Sequence, residues 1–321
     1  MLHLATRDTA DDDFATAVLA GLAQPQMTVP ARFFYDSAGS ELFEAITRLP
    51  EYYPTRTEIG ILHDCGAAIA ATVGPDRVVV EFGSGSSAKT PPFLRAVAAS
   101  AYVPIDISAD FLDMAAADLA AKLPGLPVLP LAADFTRPLR LPPMVVGRPK
   151  LGFFPGSTLG NLGPMAAVDL LRAFGDTLGD GAWLVIGLDQ RKDAAVLEAA
   201  YNDPAGVTAA FNFNVLHRIN AELDGTLDAR AFEHHAPFEP VLGRIEMHLR
   251  ARHATAFTVL GKAFALAAGA SIHTENSYKW TLAEARLLAR ACGWTPVAVW
   301  TDPADWFAVH LWRRDAAHVE P

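Results

Sequence analysis

The chain has 321 residues, which suggests one large or two ordinary domains and is long enough to bury a substantial core. It is 51% hydrophobic, yet no uninterrupted apolar run approaches the roughly 20 residues that a membrane span needs. A net charge of −10 without a cluster of Lys or Arg argues against nucleic acid as the main partner. The composition therefore agrees with a soluble enzyme that has neither membrane nor nucleic-acid partners.

The N-terminus and the cysteines indicate a cytoplasmic protein. The first seven residues are not followed by the apolar core of a secretion signal, because three aspartates at 11–13 interrupt it. Cys65 and Cys292 are far apart and lack metal-ligand spacing, which favours free buried thiols in a reducing compartment. The ten histidines form no recognisable metal set, and the adjacent His234 and His235 are poorly spaced for one metal. We expect a cytoplasmic protein without a metal, and a monomer.

The most informative segment is residues 81–90, Glu-Phe-Gly-Ser-Gly-Ser-Ser-Ala-Lys-Thr, which follows an apolar, β-branched run at 77–80. The run predicts a buried parallel strand, and the glycines allow a sharp turn or the close approach of a ligand. A proline-started apolar segment follows and predicts a helix. Strand, tight loop and helix are typical of the first unit of a nucleotide-binding sheet.

Three interpretations of this loop can be compared. A P-loop is excluded, because Ala88 rather than glycine precedes Lys89 and the glycine spacing is wrong. Gly83, Gly85 and Ala88 satisfy the dinucleotide fingerprint G-x-G-x-x-G/A. The stretch from Glu81 to Gly85 equally fits the E-x-G-x-G loop of S-adenosylmethionine (SAM)-dependent methyltransferases. Taken alone, the loop leaves both cofactors, and a glycine turn without a ligand, open.

The units that follow favour SAM. Further strands are predicted at residues 101–105, 127–131 and 151–154. Asp106 ends the first of them, where a carboxylate can accept hydrogen bonds from both ribose hydroxyls of either cofactor class. Asp134 and Phe135 follow the second, and offer an acceptor and a ring face to an adenine. The third runs into the loop 155–161, and we expect all four loops to line one crevice at the carboxyl ends of the strands.

The chain is not one continuous nucleotide domain. A fifth strand at 183–188 and a hairpin at 295–312 are separated by about a hundred residues, which include a polar helical stretch at 201–223 and strands near 244–252 and 256–264. This is too long for a loop, since loops beyond roughly 15 residues are uncommon. We predict an α/β core formed by 56–192 plus 287–321, and an inserted substrate-binding domain formed by 1–55 plus 193–286.

Several blocks along nearly the whole chain resemble one known family. They are Tyr35-Asp36, residues 49–58 (LPEYYPTRTE), the loop through Lys89-Thr90, residues 156–161 (GSTLGN), Tyr201, and residues 205–212 (AGVTAAFN), 244–247 (RIEM) and 274–277 (TENS). They resemble the L-histidine Nα-methyltransferases of ergothioneine biosynthesis. That resemblance implies a class I (Rossmann-like) methyltransferase sheet with an inserted α+β substrate-binding domain. It also implies SAM as the cofactor, and three methylations that convert histidine to its betaine, hercynine.

The resemblance assigns roles to substrate-binding residues that sequence alone would leave ordinary. It implies that Asn161 and Tyr201 hold the amino and carboxylate groups of the amino acid. It implies that Tyr52, Glu275 and Ser277 recognise the imidazole. Met247 is then expected beside the imidazole, and Tyr35 and Phe43 are expected to line the chamber for methyl transfer. Without the resemblance, Asn161 would be a turn residue, Glu275 a surface charge at a strand end, and Met247 a core residue.

The implied catalytic and cofactor-binding residues complete the predicted site. Tyr35 and Asn161 are the catalytic candidates, although no dedicated base is evident and solvent or Tyr35 could accept the proton of the amine. The cofactor-binding candidates are Gly83, Ser84, Gly85, Lys89, Asp106, Asp134, Phe135, Gly156, Ser157 and Thr158.

The departures from the family pattern leave histidine as the favoured substrate. Phe82 stands where Leu is usual, and Asn276 lies between the two imidazole-recognising positions. A related branch that methylates tryptophan-derived amines lacks the Glu/Met pair, whereas this chain keeps Glu275 and Met247. The alternatives are an N-methyltransferase for another amino acid or a thiohistidine, and a SAM-binding protein without catalysis. An NAD-dependent dehydrogenase is a further alternative, but the sequence shows no evident acid–base pair for its chemistry.

Overall fold

The computed structural model describes residues 9–85, 88–107 and 109–315. Residues 1–8, Ser86 and Ser87 of the glycine-rich loop, Ser108, and residues 316–321 lie outside this range. In chain order the α-helices of the described residues are α1 (Thr9–Leu22), α2 (Ser37–Ile46), α3 (Tyr53–Val73), α4 (Thr90–Ala96), α5 (Ala109–Lys122), α6 (Pro164–Leu178), α7 (Ala194–Tyr201), α8 (Val207–Glu222) and α9 (Leu282–Ala291).

Short 3₁₀ turns lie at Ala31–Phe34, Pro143–Val145, Thr158–Asn161 and Ala229–Ala231. The strands of the described residues are β1 (Met27–Thr28), β2 (Val78–Phe82), β3 (Ala101–Asp106), β4 (Leu131–Ala132), β5 (Lys150–Phe154), β6 (Trp183–Asp189), β7 (Phe232–His235), β8 (Phe238–Glu239), β9 (Arg244–Ala251), β10 (Thr255–Val259), β11 (Lys262–Leu266), β12 (Ser271–Tyr278), β13 (Trp294–Thr301) and β14 (Phe307–Arg314). No helix among the described residues combines the length and apolarity that a membrane crossing needs.

The chain divides into two compact units. The core unit combines Pro54–Arg191 with Lys279–Pro321, and the insert unit combines Met1–Tyr53 with Lys192–Tyr278. The core unit resumes earlier than the predicted residue 287, because α9 belongs to it as a whole and packs against α6 and β13. The assignment of SAM binding to one unit and substrate binding to the other stays a prediction.

A seven-stranded sheet in the order β13-β14-β6-β5-β2-β3-β4 forms the core unit. Strands β6, β5, β2, β3 and β4 run parallel, and β14 and β13 pair antiparallel at one edge. Every residue of β2 is buried, as its β-branched sequence predicts for a central parallel strand. The predicted α/β fold of class I methyltransferase type is confirmed. The predicted strand 127–131 is largely wrong: it is reduced to a single bridge at Val128 and the two residues of β4.

Helix α3 covers part of this sheet through its apolar residues. Ile61, Cys65 and Ile69 pack with the stacked rings of Phe93 and Phe153, whose centroids are 4.2 Å apart. Both cysteines are free and buried, as predicted, and burial raises the pKa of Cys65 to about 12 and that of Cys292 to about 11.

The insert unit has a sheet in the order β1-β12-β9-β7, with β8 paired to β9, and a separate β10–β11 hairpin. Residues of β9 alternate between buried and half-buried, so its two faces differ. The single strand predicted at 256–264 is wrong: Leu260 and Gly261 both have positive φ and form the tight turn between β10 and β11. The helix predicted at 201–223 is also interrupted: Asp203 accepts hydrogen bonds from the N–H groups that begin α8, and Gly206 precedes that helix with φ +73°.

A buried carboxylate ties the first strands of the core unit together. Glu81 on β2 is fully buried and accepts hydrogen bonds from Tyr102 Oη at 2.5 Å and from Thr90 Oγ1 at 2.9 and 3.1 Å. Burial raises the pKa of Glu81 to about 7, although the hydrogen bonds from Tyr102 and Thr90 and the charge of Lys89 act to lower it. Glu81 therefore joins β2, β3 and the start of α4 and changes its protonation near neutral pH.

We predict a pH-dependent stability that originates at Glu81. Because its pKa in the folded protein lies above the ordinary value of 4.5, its contribution to stability is complete below that value and is lost as pH rises through about 7. Urea unfolding should show the free energy of unfolding of the wild type falling by up to about 3 kcal/mol over this window, relative to Glu81→Gln. The exposed Glu41→Gln serves as control. Parallel pH curves for wild type and Glu81→Gln would contradict this assignment.

Candidate functional site

A β-bulge places the predicted imidazole-recognising residues of the insert unit. His273 is paired with His248, and the next pair is Glu275 with Met247, so Thr274 is an extra residue on β12. Regular alternation would send Thr274 and Glu275 to opposite faces, but both are buried, with Glu275 only 8% exposed. Thr274 fixes the bulge by donating a hydrogen bond to Met247 O at 3.0 Å. Glu275 is therefore a buried carboxylate directly beside Met247.

Three hydroxyl groups accompany this pair. Ser277 lies two residues beyond Glu275 on β12, and its Oγ is 2.7 Å from Tyr201 Oη. The ring of Tyr201 is 6.2 Å from the ring of Tyr52, centroid to centroid. Tyr52, Tyr201 and Ser277 are all buried. The insert unit thus brings together three hydroxyl groups of the predicted site.

An aromatic group continues from Tyr52. The ring of Phe43 lies 6.4 Å from Tyr52 and 5.6 Å from Tyr35, both with edge-to-face geometry. Phe211 contacts Tyr35 and Phe43 at centroid distances of 5.6 and 6.0 Å. Sequence analysis did not single out Phe211, although it lies in the block 205–212 that carried part of the family resemblance. The predicted aromatic pair is therefore part of a larger aromatic group.

The surroundings of Tyr35 keep its phenol protonated. Its side chain is 44% exposed, yet desolvation of the phenol, followed by the charge of Glu275 and by Tyr52 and Tyr201, raises its pKa well above the ordinary value of 10. A phenol with a raised pKa is a poor base at neutral pH. Which of solvent and Tyr35 accepts the proton of the amine stays a prediction.

A buried polar network that sequence analysis missed positions Tyr201. The amide of Asn212, which is fully buried, donates to His234 Nδ1 at 2.9 Å and accepts from Thr274 Oγ1 at 2.7 Å. Because His234 Nδ1 accepts, its Nε2–H donates to Tyr201 O at 2.7 Å. Burial lowers the pKa of His234, which agrees with this neutral tautomer. The network joins the end of α7 to the bulge of β12.

In the core unit, the glycine-rich loop is held against the end of β3. The N–H groups of Gly83 and Ser84 donate to Ile105 O, and the N–H of Gly85 donates to Asp106 Oδ2 at 3.3 Å. Gly83 has φ +73°, and a Cβ on it would lie 3.4 Å from the ring of Phe135. A Cβ on Gly85 would meet nothing within 4 Å. Binding of the ribose and methionine parts of SAM by this loop and Asp106 stays a prediction.

Glu58 connects two of the predicted cofactor loops and was not recognised from sequence as a site residue. It is 1% exposed, pairs with Lys89 Nζ at 2.5 Å, and accepts the N–H of Gly156 at 2.9 and 3.0 Å. A Cβ on Gly187 of β6 would lie 1.9 Å from Glu58 Oε1, so only glycine leaves room for this carboxylate. The structure therefore places Lys89 in a buried ion pair that orders the loop after β5. A contact of Lys89 with the cofactor stays a prediction.

The loop after β5 is strained and anchored at the end of β6. Gly156 and Ser157 have φ of +86° and +57°. Ser157 Oγ accepts the N–H of Asp189 at 2.9 Å, and the Asp189 carboxylate pairs with Lys279 at 2.8 Å with both side chains buried. Asn161 ends the 3₁₀ turn that follows. This backbone geometry presents Asn161 from a fixed loop, and its contact with substrate stays a prediction.

The remaining predicted cofactor residues make local contacts. Asp134 is exposed, and its Oδ1 accepts from the N–H and hydroxyl of Thr136 at 2.9 and 2.7 Å. Phe135 packs edge-on against the rings of Phe82 and Phe154. Thr158 Oγ1 donates to Pro155 O at 3.2 Å. Adenine binding by Asp134 and Phe135 stays a prediction.

Comparison with known proteins gives the family. A family model described as histidine-specific methyltransferase, SAM-dependent, matches residues 14–314. The chain is 43% identical to a histidine Nα-methyltransferase of Mycolicibacterium smegmatis, over 95% of this chain and 96% of that protein. It is 39% identical to the enzyme of the same name from Mycobacterium tuberculosis, over 92% of each chain.

A solved SAM-dependent methyltransferase from Clostridium acetobutylicum superposes with a TM-score of 0.52 at 9% identity, over 87% of this chain and all of that one. At that identity the likeness concerns the fold alone. It agrees with the parallel sheet and antiparallel edge of the core unit. The family model and the two mycobacterial relatives show that the chain belongs to the family of histidine-specific, SAM-dependent methyltransferases.

Proposed function

We propose that this protein transfers three methyl groups from SAM to the α-amino group of L-histidine and releases hercynine, as the first step of ergothioneine biosynthesis. The observation that supports the substrate most strongly is the buried Glu275 carboxylate, placed beside Met247 by the bulge of β12. A carboxylate buried in a substrate-recognising unit favours a ligand with an N–H donor.

Recognition of imidazole needs one acceptor and one donor, because a neutral imidazole carries one N–H and one basic nitrogen. In the proposal, Glu275 accepts the N–H, and the hydroxyl of Tyr52 or of Ser277 donates to the other nitrogen. Met247 contacts the ring face with its thioether. An indole has no basic ring nitrogen, so it would leave the hydroxyl donor without an acceptor.

The aromatic group of the insert unit supports trimethylation. The rings of Tyr35, Phe43 and Phe211 offer π-faces to an ammonium, and this attraction grows in importance as methylation removes N–H groups that water could solvate. Because Tyr35 stays a neutral phenol, the proton of each ammonium goes to solvent. The proposal gives Tyr35 a binding role in place of a base.

The core unit supplies the cofactor part of the proposal. SAM provides an electrophilic methyl group that carries its own leaving group. Gly83, Gly85 and Asp106 would bind its amino acid and ribose parts, and Asn161 would hold the amino and carboxylate groups of histidine. An amide suits that task, since it donates to a carboxylate and accepts from an amine. Orientation of the amine then supplies most of the catalysis. The free buried thiols support a cytoplasmic enzyme, which we propose acts as a monomer.

Mass spectrometry after incubation with SAM and a panel of amino acids tests the function. We expect histidine alone to gain three methyl groups, and mono- and dimethylhistidine to react at least as readily. A final product with one methyl group would contradict the role of the aromatic group. Exclusive methylation of another amino acid or of a thiohistidine would show that histidine is not the substrate. SAM binding without turnover would show that the protein binds SAM but is not an enzyme.

We predict that Glu275→Ala lowers kcat/KM for histidine by on the order of 10²-fold, about 3 kcal/mol, because it leaves the imidazole N–H without its acceptor in a closed site. Adding Met247→Val should shift the histidine-to-tryptophan ratio of kcat/KM toward tryptophan, since the pocket becomes larger and less polar. Glu222→Ala, which removes an exposed carboxylate from the same unit, is the matched control. An unchanged ratio in the double variant would remove Glu275 from the site.

A further inference from the structure

The half-buried face of β9 and β12 carries three metal-ligating side chains. Glu246, His248 and His273 each offer one ligand atom, and these atoms lie within 4.8 Å of one another. His248 Nε2 is 3.1 Å from Glu246 Oε2, and the rings of His248 and His273 are 5.0 Å apart. Ser271 and His248 are 23 residues apart in the sequence, and the register of β12 against β9 brings the two strands together. Spacing along the sequence could therefore not reveal this group.

Two orphaned polar atoms lie on the same face. His273 Nε2 is buried and has no hydrogen-bond partner among the described residues. Asn276 Oδ1 is likewise buried without a partner in the described part of the chain, and the register places Asn276 opposite Glu246. Buried polar atoms are normally satisfied, and a cation bound between the carboxylate and the imidazoles would satisfy both of these atoms.

Neighbouring residues hydrogen-bond these side chains in the way that residues around a metal site orient its ligands. Arg244 binds Glu246 Oε1 at 2.8 Å through Nε, which leaves Oε2 toward His248. Ser271 Oγ is 3.0 Å from His248 Nδ1. If Ser271 accepts the Nδ1 proton, Nε2 keeps its lone pair toward Glu246, an arrangement that a cation between them would stabilise. Carboxylate and imidazole ligands of this kind suit Zn²⁺ and its neighbours.

The geometry points to a binding site for a divalent transition-metal ion of borderline softness, with Zn²⁺ as its best representative, formed by Glu246, His248 and His273 with Asn276 Oδ1 beside them. The ion would cross-link β9 and β12 at the bulge. Met247 lies between two of the ligands along β9, and its side chain and that of Glu275 occupy the opposite, buried face. The site therefore lies behind the imidazole-recognising pair and would stabilise the strand register that places it.

Isothermal titration of the metal-free full chain, purified without a polyhistidine tag, tests this site. Histidine is omitted from the buffer, because it chelates Zn²⁺ itself. We expect saturable binding of one equivalent of Zn²⁺ and a higher melting temperature with Zn²⁺ than without it. Affinity should fall at least tenfold in His248→Ala and His273→Ala. The matched control His253→Ala removes an exposed histidine of the same unit and should bind as the wild type does.

Glu246→Gln keeps the shape of the side chain. It tests the Zn²⁺ site if circular dichroism shows that a histidine variant does not fold. It should also weaken Zn²⁺ binding at least tenfold, and it should weaken Co²⁺ binding followed by visible absorption. No saturable uptake of Zn²⁺ by the wild type would overturn the site. Wild-type affinity in folded variants of Glu246, His248 or His273 would overturn it equally.

Discussion

The extra residue at Thr274 is the constraint on which the predicted substrate-recognising face depends. A strand alternates its side chains strictly, so without the bulge the charged Glu275 would leave the face that Met247 occupies. The bulge costs one backbone pairing, and the single hydroxyl proton of Thr274 lies within hydrogen-bond distance of both the Asn212 amide oxygen and the carbonyl of Met247. The same amide of Asn212 reaches Tyr201 through His234, so the position of the bulge and the position of Tyr201 are linked.

The core unit uses buried carboxylates in a different way. Glu81 and Glu58 both lie beneath loops of the predicted cofactor site, where each satisfies donors from separate elements. Glu81 holds the segment before the glycine-rich loop, and Glu58 joins Lys89 after that loop to Gly156 after β5. These acids order the backbone of the predicted cofactor loops, and such ordering before binding would lower its entropic cost. Glycines at 83, 156 and 187 are required by the same packing, since each either has a positive φ or faces a neighbour at close range.

The core strands could largely be predicted from the sequence, because a β-branched run such as that of β2 is typical of a strand buried in the centre of a parallel sheet. It could not predict Glu275 from residues alone, since a period-two pattern cannot show where a bulge shifts the face. Glu58 and the His248–His273 pair were missed because their partners are far along the chain and only the folded register brings them together. The break between α7 and α8 had a local signal in Asp203-Pro204 and Gly206, which are turn and capping residues. Family resemblance, rather than local physics, supplied the roles of Glu275 and Met247.

The central claim is that Glu275 and Met247 recognise an imidazole. A crystal structure with L-histidine and S-adenosylhomocysteine tests it most directly, because it locates the ring without relying on rates. We predict an imidazole N–H within about 2.7–3.2 Å of the Glu275 carboxylate, with the thioether of Met247 against the ring. A histidine whose imidazole contacts neither residue, while Glu275 keeps its place on the bulged strand, would contradict the account.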